Sequence, residues 1–265
     1  MKIKMPFQIL LLALALYCPM QLTAWGTQGH RIVGQIAESY LSKKTKKAVA
    51  SILGNESVAM SSNWPDFLKS DPAYKYLGNW HYINVKQGMT QEQLVSQLAT
   101  DTSTNAYTKI NWLKNELKKK DIAAADKKLY LWLLIHIVGD IHQPLHVGRP
   151  EDLGGNKIKV LWFNDSYNLH QLWDEVLVNF QQLSYTEFAA AINFTTQQQR
   201  NTWQQQPMST WIWESYQLAD QIYGEVKGTE EKLGYQYNFK YKAIMEAQLL
   251  KGGVRLAGIL NEIFA

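Results

Sequence analysis

The chain has 265 residues, of which 46% are hydrophobic, and its 27 Lys and Arg face 23 Asp and Glu, for a formal charge of +4 at pH 7. This length and apolar content suffice for one domain with a large core. The near balance of charge excludes the broad basic surface that is typical of sequence-independent binding to nucleic acids or membranes. Any attraction for a polyanion therefore has to be local.

The first 24 residues have the pattern of a secretory signal peptide. Two lysines precede an apolar stretch, Phe7–Cys18, and a polar approach to Ala24. The apolar stretch is too short and too weakly flanked to anchor the chain in a membrane. We predict cleavage between Ala24 and Trp25, which leaves residues 25–265 as one secreted or periplasmic domain without stable membrane association. Because Cys18 is the only cysteine, the stability of this domain has to come from packing or from metals.

A mainly α fold follows from apolar residues at helical spacing in most of the chain. In chain order, the predicted helices are Arg31–Leu53, Gln91–Lys120, Leu129–Ile141, Gln171–Gln182, Tyr185–Asn193, Ser209–Gly224 and Phe239–Ile263. Asp121 can cap the helix that follows it, and the polar stretch Gln197–Gln206 fits either a helix or a loop. Ile158–Phe163 alternates apolar and polar residues and Asn164-Asp165 resembles a turn, so we expect at most one small β-hairpin.

Two His-x-x-x-Asp motifs, His136 to Asp140 and His170 to Asp174, are the chief indication of chemistry. On a helix this spacing places imidazole and carboxylate on one face, one turn apart. The first motif lies within the apolar run Leu129–Ile141, which predicts a buried helix. A buried His and Asp are costly unless something pairs them. A divalent metal would do so, and imidazole with carboxylate is a common zinc ligand set.

The histidines as a group allow two interpretations. The chain has six, and four of them fall between residues 136 and 170. A single histidine on an apolar face is more often a hydrogen-bonded core residue than a metal ligand. The Asp four residues after His136 and after His170 favours metal binding, as does the position of His146 shortly after the helix-ending Pro144.

The segment Trp25-Gly-Thr-Gln-Gly-His30 begins at the predicted cleavage site. A free α-amino group at Trp25 would have a pKa of about 8 and would be easily neutralised by a metal. The amine and the carbonyl of Trp25 could chelate one ion, with His30 as a third ligand. The segment fits equally well a glycine-rich helix cap that contains an incidental histidine.

These motifs and three others occur in a characteristic order. They are Trp25–His30, Trp64-Pro65-Asp66, Asn79–Asn84, Gly139–His146, Gly154-Gly155-Asn156 and His170–Asp174. The set resembles the zinc-dependent, single-strand-specific nuclease and 3′-nucleotidase family, to which secreted fungal and plant nucleases belong and to which zinc-dependent phospholipase C is structurally related. The resemblance runs from residue 25 to the C-terminal helices and implies a multi-helix phospholipase C/nuclease-like fold in a single domain.

The resemblance implies a cluster of three zinc ions. The first would be held by Asp66, His81, His136 and Asp140, the second by the amino and carbonyl groups of Trp25 with His30 and a shared Asp140, and the third by His146, His170 and Asp174. His142 has no ligand role in the family pattern, and we expect it to form hydrogen bonds beside the cluster.

The same resemblance implies hydrolysis of single-stranded RNA and DNA to 5′-mononucleotides, and removal of the 3′-phosphate from 3′-nucleotides. Three divalent ions outweigh three carboxylates, so the pocket would attract phosphate although the chain is nearly neutral. Zinc lowers the pKa of bound water to about 7. A hydroxide could therefore attack phosphorus, oriented by Asp66 and held between the ions that Asp140 links. These two carboxylates are the expected catalytic residues.

Four residues are candidates for contact with substrate. Tyr82 stands where the family stacks a base on an aromatic ring, which would require an unpaired base. Asn84 stands where the family usually has Asp, and we expect its amide, which is both donor and acceptor, to change the base preference. Lys69 and Asn156 could contact phosphate, or they are a surface lysine and a turn asparagine.

Two other functions stay open at this point. A phospholipase C-like enzyme would use the same metals on a phospholipid headgroup, but it would need apolar insertion surfaces and no platform for a base. A secreted zinc protein without catalysis would have no need for an open third ion. The lack of cysteine in the mature chain favours a bacterial source, because secreted eukaryotic relatives usually carry disulfides, and we expect a monomer.

Overall fold

Helices make up most of the structure, a computed structural model that describes residues 25–226, 228 and 230–265. The α-helices are α1 Thr27–Ser39, α2 Lys43–Leu53, α3 Val58–Ser61, α4 Trp64–Leu68, α5 Gln91–Thr100, α6 Ala106–Leu117, α7 Ala124–Asp140, α8 Leu169–Gln171, α9 Leu177–Asn179, α10 Tyr185–Ile192, α11 Gln197–Gln205, α12 Met208–Glu225 and α13 Tyr235–Phe264. The 3₁₀ helices Pro72–Trp80 and Pro144–Val147 and the π-helical turn Leu172–Val176 lie between them. The prediction of a mainly α fold is therefore confirmed. The predicted signal peptide, residues 1–24, lies outside the described residues.

Helix α7 is the centre of the fold. Its C-terminal half is buried on every side, as the apolar run in the sequence predicted. It packs against α1, α4, α6 and α13. The helix begins at Ala124 and its N-cap residue is Ala123, so the expectation that Asp121 caps it was wrong. Because His136 and Asp140 lie in the buried half, their side chains are enclosed by the neighbouring helices.

Two of the predicted long helices are each divided in two. Arg31–Leu53 breaks after Ser39, and Ser42 then caps α2 by accepting from the backbone N–H of Thr45 at 3.1 Å. Gln91–Lys120 breaks at residues 101–105. There the carboxylate of Asp101 accepts hydrogen bonds from both the backbone and the hydroxyl of Ser103. Local side-chain bonds of this kind compete with the helical bonds of the backbone, which explains the interruption.

The sheet is small and lies beside the helices. Strands β1 Lys159–Trp162 and β2 Asp165–Asn168 form the predicted antiparallel hairpin, with Val160 opposite Tyr167. A third strand, β3 Glu231–Leu233, pairs in parallel with β1 from the other side. Strand β2 leads directly into α8, so the hairpin fixes the position of His170 on that helix. None of the described helices combines the length and apolar content that a membrane span requires.

Candidate metal centre

The predicted ligands lie on separate elements whose ends meet beside α7. Asp66 lies on α4, His81 follows the 3₁₀ helix Pro72–Trp80, His30 lies on α1, His136 and Asp140 lie on α7, His146 lies on the 3₁₀ helix Pro144–Val147, and His170 and Asp174 lie on α8 and the π-helical turn. All of these side chains are buried, and so is that of Trp25. Helix packing therefore gathers five histidines and three aspartates inside the protein.

The first group of side chains surrounds the end of α7. Nε2 of His136 lies 3.4 Å from Oδ2 of Asp140 and 3.6 Å from Oδ1 of Asp66. Nδ1 of His81 lies 3.0 Å from Oδ2 of Asp140. These four residues are the set that the family resemblance implied for the first ion. The ligand atoms of His81, His136 and Asp140 lie within 4.8 Å of one another, whereas Asp66 forms such a group with His30 and His136.

His30 approaches the same carboxylate from the opposite side. Its Nε2 lies 3.3 Å from Oδ1 of Asp140, and its ring stacks on that of His136 with the ring centroids 3.7 Å apart. Gly139 makes this approach possible, because a Cβ at that position would lie 3.0 Å from Nδ1 of His30. The backbone N–H of Gly26 donates to the carbonyl of Asp174 at 2.7 Å, which connects the start of the described chain to the π-helical turn.

The remaining group forms on the other side of Asp140. Nε2 of His146 lies 3.6 Å from Oδ1 of Asp174, and Nε2 of His170 lies 3.1 Å from Oδ2. Nδ1 of His146 lies 3.9 Å from Oδ1 of Asp140. Asp140 therefore faces both groups. A π-helical turn, a feature common at functional sites, carries Asp174.

Three of the histidines are oriented by backbone carbonyls. Nδ1 of His136, His146 and His170 lies 2.7 Å from the carbonyl oxygens of Ser62, His81 and Gly154, respectively. A carbonyl oxygen only accepts, so Nδ1 carries the proton in each ring, and Nε2 faces the cluster. This arrangement, with one ring nitrogen donating outward, is the usual one for histidines that ligate a metal.

Several polar atoms of the cluster are buried without a hydrogen-bond partner among the described residues. They are both ring nitrogens of His30, Nε2 of His81, Oδ1 of Asp140 and Nε2 of His146. Buried polar atoms that lack a partner are costly. Three sets of ligand atoms lie within 4.8 Å of one another: His30 with Asp66 and His136; His81 with His136 and Asp140; His146 with His170 and Asp174. Imidazole and carboxylate at this spacing fit divalent metal ions such as zinc.

The electrostatics keep two central residues in the forms that bind metal. Burial lowers the pKa of His136 to about 3, so this ring is neutral. Burial opposes ionisation of Asp66, but the electrostatic interactions with His136 and Lys69 outweigh it and lower the pKa of this carboxyl to about 2. His146 differs: burial lowers its pKa, but the hydrogen bond and charge of Asp174 outweigh burial and raise it to about 9. A metal ion would have to displace the proton of His146.

Tyr82 and Asn84 lie at a cavity, and none of the proposed metal ligands is among the residues that line it. Side chains alternate along residues 81–85, so that His81 points inward while Tyr82 and Asn84 are exposed. The cavity has a volume of about 530 Å³ and is lined by these two residues, Asn79 and the loop at 100–105. The hydroxyl of Tyr82 donates to Oδ1 of Asn79 at 2.9 Å, which holds the ring at the cavity wall.

The two candidates for phosphate contact differ in position. Nζ of Lys69 lies 2.6 Å from Oδ1 of Asp66, so this lysine is at the edge of the cluster. Asn156 lies in the glycine loop whose Gly154 carbonyl orients His170. Its side-chain nitrogen donates to the carbonyl of Leu153 at 2.8 Å, which closes the turn.

The structure also shows residues that the sequence did not single out. The side chain of Gln143 donates to Oδ1 of Asp174, and the only signal in the sequence was its place within the histidine motif.

His142 lies outside the cluster, as expected, and its Nδ1 donates to the carbonyl of Val138 at 2.7 Å. Its other ring nitrogen lies 3.0 Å from Nη1 of Arg255, a buried cation that also pairs with Glu214.

Comparison with known proteins finds one family model and several nucleases that are similar to this chain. The model of the S1/P1 Nuclease family matches residues 25–265. Endonuclease 3 of Arabidopsis thaliana is 30% identical to the chain, over 91% of the chain and 89% of its own length. Nuclease S1 of Aspergillus oryzae is 31% identical over 64% of the chain and 58% of its own length. Nuclease P1 of Penicillium citrinum is 26% identical over 90% of the chain and 97% of its own length.

Proposed function

The chain belongs to the S1/P1 nuclease family, and we propose that it is a zinc endonuclease that cleaves single-stranded RNA and DNA to 5′-mononucleotides and removes 3′-phosphates from nucleotides. Family membership makes it a metal-dependent hydrolase of phosphodiester bonds with a nucleic-acid substrate. The observation that carries the proposal is the gathering of buried His and Asp side chains around Asp140.

In this proposal three zinc ions share the cluster. The ligands of the first ion would be Asp66, His81, His136 and Asp140. The ligands of the second ion would be His30, Asp140 and the amino and carbonyl groups of Trp25, and those of the third would be His146, His170 and Asp174. The short distances between these groups and their unpaired buried atoms support this assignment. Zinc, when bound, supplies Lewis acidity and a hydroxide nucleophile near neutral pH.

The protein's own residues set up the reaction. Asp140 lies within 3.4 Å of His30, His81 and His136, and it would be a ligand of both the first and the second ion. Asp66, kept ionised by His136 and Lys69, would orient the attacking water toward phosphorus. We therefore assign the catalytic roles to these two carboxylates. Excess positive charge in the loaded pocket would attract phosphate, which the nearly neutral surface does not do.

We assign contacts with the base to the cavity at Tyr82 and Asn84, and contacts with phosphate to Lys69 and Asn156. Tyr82 would stack an unpaired base, an interaction that contributes about 1–3 kcal/mol and accepts every base. A duplex offers no exposed base face, which accounts for single-strand specificity. Asn84 would contact the base edge. Lys69 would contact a phosphate oxygen at the edge of the cluster, and the second amide hydrogen of Asn156 would do so from the glycine loop.

The proposal extends to processing of the chain. Residues 1–24 would be removed during secretion, and residues 25–265 would act as one domain, a monomer without stable membrane association. The family match starts at residue 25, which supports this boundary. Cleavage there would free the α-amino group of Trp25, whose side chain is buried and whose neighbour Gly26 donates to the carbonyl of Asp174.

The test combines metal analysis with cleavage assays on the mature chain. We expect about three zinc ions per chain and turnover of single-stranded RNA, single-stranded DNA and 3′-AMP, with little turnover of duplex DNA or phosphatidylcholine. Asp140→Asn should abolish activity because the residue would be a ligand of two of the three ions. Asp165→Asn, the same chemical change at the exposed first residue of β2, is the control. Wild-type cleavage by Asp140→Asn, or faster turnover of phosphatidylcholine than of nucleic acid, would contradict the proposal.

A further inference from the structure

Gln143 is a fully buried side chain that uses both ends of its amide. Its oxygen accepts from the backbone N–H of Leu145 at 2.5 Å, at the start of the 3₁₀ helix Pro144–Val147. Its nitrogen donates to Oδ1 of Asp174. The first contact shapes the turn on which His146 lies. The second reaches a carboxylate on a different element.

Asp174 is contacted on both of its carboxylate oxygens. Oδ2 lies 3.1 Å from Nε2 of His170. Oδ1 faces the amide of Gln143 and lies 3.6 Å from Nε2 of His146. An aspartate carboxylate has a broad rotational preference about its last side-chain bond. The hydrogen bond from Gln143 restricts this rotation, so that Oδ2 stays turned toward His170.

From this geometry we infer that Gln143 is a positioning residue for the ion that His146, His170 and Asp174 would hold, an inference that rests on the proposed function. The amide orients the carboxylate of Asp174 and stabilises its negative charge. It does not compete for the metal, because an amide N–H has no lone pair to offer. Loss of a hydrogen-bond partner behind a metal ligand weakens metal binding by about 10- to 100-fold.

The backbone of Gln143 also connects two ion sites. Its N–H donates to the carbonyl of Asp140 at 2.9 Å, and its own carbonyl accepts from the N–H of His146 at 3.0 Å. Asp140 is thus held through the backbone of Gln143, and Asp174 through its side chain. A change of the side chain should therefore affect the ion at Asp174 and leave the ions at Asp140 in place.

Two variants of Gln143 test whether its side chain positions Asp174 or only stabilises the start of the 3₁₀ helix Pro144–Val147. Gln143→Glu keeps the length of the side chain and an oxygen for the N–H of Leu145, but it replaces the donor that faces Asp174 by a carboxylate oxygen. Gln143→Met removes both contacts. If Gln143 acts through Asp174, both variants should have the same defect in metal binding.

The measurements are zinc per chain after dialysis against a zinc buffer, and the affinity of the most weakly held ion from competition with a chelator. We expect both variants to hold one ion fewer than the wild type, with the affinity for that ion lowered about 10- to 100-fold. The affinities of the other ions should not change. Because these measurements are made without substrate, they do not depend on activity.

Gln248→Met is the matched control. Gln248 is also buried, and its side chain donates to the carbonyl of His142 at 3.0 Å and approaches the hydroxyl of Ser215, neither of which is a proposed ligand. This variant should keep the wild-type zinc content even if it unfolds at a lower temperature.

The inference is overturned if Gln143→Glu holds as many ions as the wild type with the same affinities, because the contact to Leu145 would then be the only role. If Gln143→Met fails to fold, Gln143→Glu alone decides. A His170→Ala variant that keeps the wild-type zinc content would instead refute the proposed ligand set, so the two failures are distinguishable.

Discussion

Asp140 is the residue on which the geometry of the metal centre depends most. Its Oδ2 lies 3.0 Å from Nδ1 of His81, and its Oδ1 lies 3.3 Å from Nε2 of His30 and 3.9 Å from Nδ1 of His146. Burial opposes ionisation of this carboxyl, but the nearby His136 outweighs burial and holds its pKa well below the usual range. A single negative charge is therefore available at neutral pH to cations on either side of it.

Asn84 is the residue whose identity should decide base preference. It is exposed in the cavity beside Tyr82, where its amide offers a donor and an acceptor, whereas Asp offers acceptors only. We expect Asn84→Asp to change the relative kcat/KM for at least one of four single-stranded homopolymers by about 10-fold, since one good pair of contacts to a base contributes about 1–3 kcal/mol. Zinc content should not change.

The control for this prediction is Asn201→Asp, the same change on the exposed face of α11. It should leave all four kcat/KM values at the wild-type level. Identical base preference in the wild type and in Asn84→Asp would show that the residue does not contact the base.

A second prediction about a single residue concerns the α-amino group of Trp25, which cleavage after Ala24 would free. A peptide bond removes the lone pair with which an amine binds metal, so one extra Gly placed before Trp25 should cost the mature chain about one zinc ion and most of its activity. The measurement compares zinc content and turnover of single-stranded DNA between the two chains. Equal zinc content and equal turnover would exclude a role for the amine.

At the scale of the elements, the packing of α1 on α13 fixes the position of His30. Gly253 on α13 lies directly against α1, and a Cβ there would lie 2.5 Å from Cγ2 of Ile36 and 3.0 Å from the carbonyl oxygen of Val33. Both neighbours are buried in the core, so neither can move aside easily. The close approach of the two helices therefore requires a glycine.

We accordingly expect Gly253→Ala to lower the free energy of unfolding by about 1–3 kcal/mol, the usual cost of overfilling a core. Denaturant unfolding of the variant and the wild type measures it. Gly224→Ala is the matched control, because a Cβ at that helical position would meet nothing within 4 Å. It should leave stability unchanged or raise it by up to about 1 kcal/mol. Equal stability of Gly253→Ala and the wild type would mean that the helices can separate without cost.

The helices and strands that could be predicted from the sequence are those whose pattern of apolar and polar residues lies within one segment. The apolar run of α7 and the alternation of β1 each lie within one segment, and both were read correctly. The break at Asp101 was missed because a few side-chain hydrogen bonds outweigh a continuous helical pattern. Strand β3 was missed because its pairing with β1 joins residues about 70 positions apart, which no local pattern encodes.

The same division applies to the metal centre. The spacing of His136 and Asp140 indicated a shared helix face, and the structure places them there. The contact between Gln143 and Asp174 had no comparable signal, since a glutamine in a loop has no required partner. The carbonyl of Ser62 that orients His136 was equally invisible, because every residue has a carbonyl. Ligand types can be predicted from sequence, whereas the groups that orient them depend on the assembled fold.

At the scale of the whole molecule, the fold encloses a cluster of ionisable groups that would be unfavourable without cations. Five histidines and two further aspartates are buried around Asp140, and several atoms of this cluster lack a hydrogen-bond partner among the described residues. Residues 25–265 contain no cysteine, since Cys18 is the only one in the chain. Disulfides therefore cannot offset the free-energy cost of burying these ionisable groups, and metal binding has to do so.

Metal removal should consequently destabilise the entire domain. An ion at a free concentration 100-fold above its Kd stabilises the folded state by about 2.7 kcal/mol, and 1 kcal/mol shifts the Tm of a domain of this size by about 2–4 °C. Removal of even one such ion by EDTA should then lower the Tm by about 5–10 °C in calorimetry, and added zinc should restore it. Dithiothreitol, the control, should have no effect. If the Tm stayed constant after metal analysis had shown complete loss of zinc, the protein alone would be holding the buried carboxylates together. That result would mean that the ion pair of Lys69 with Asp66 and the protonated His146 beside Asp174 compensate the buried carboxylates without metal.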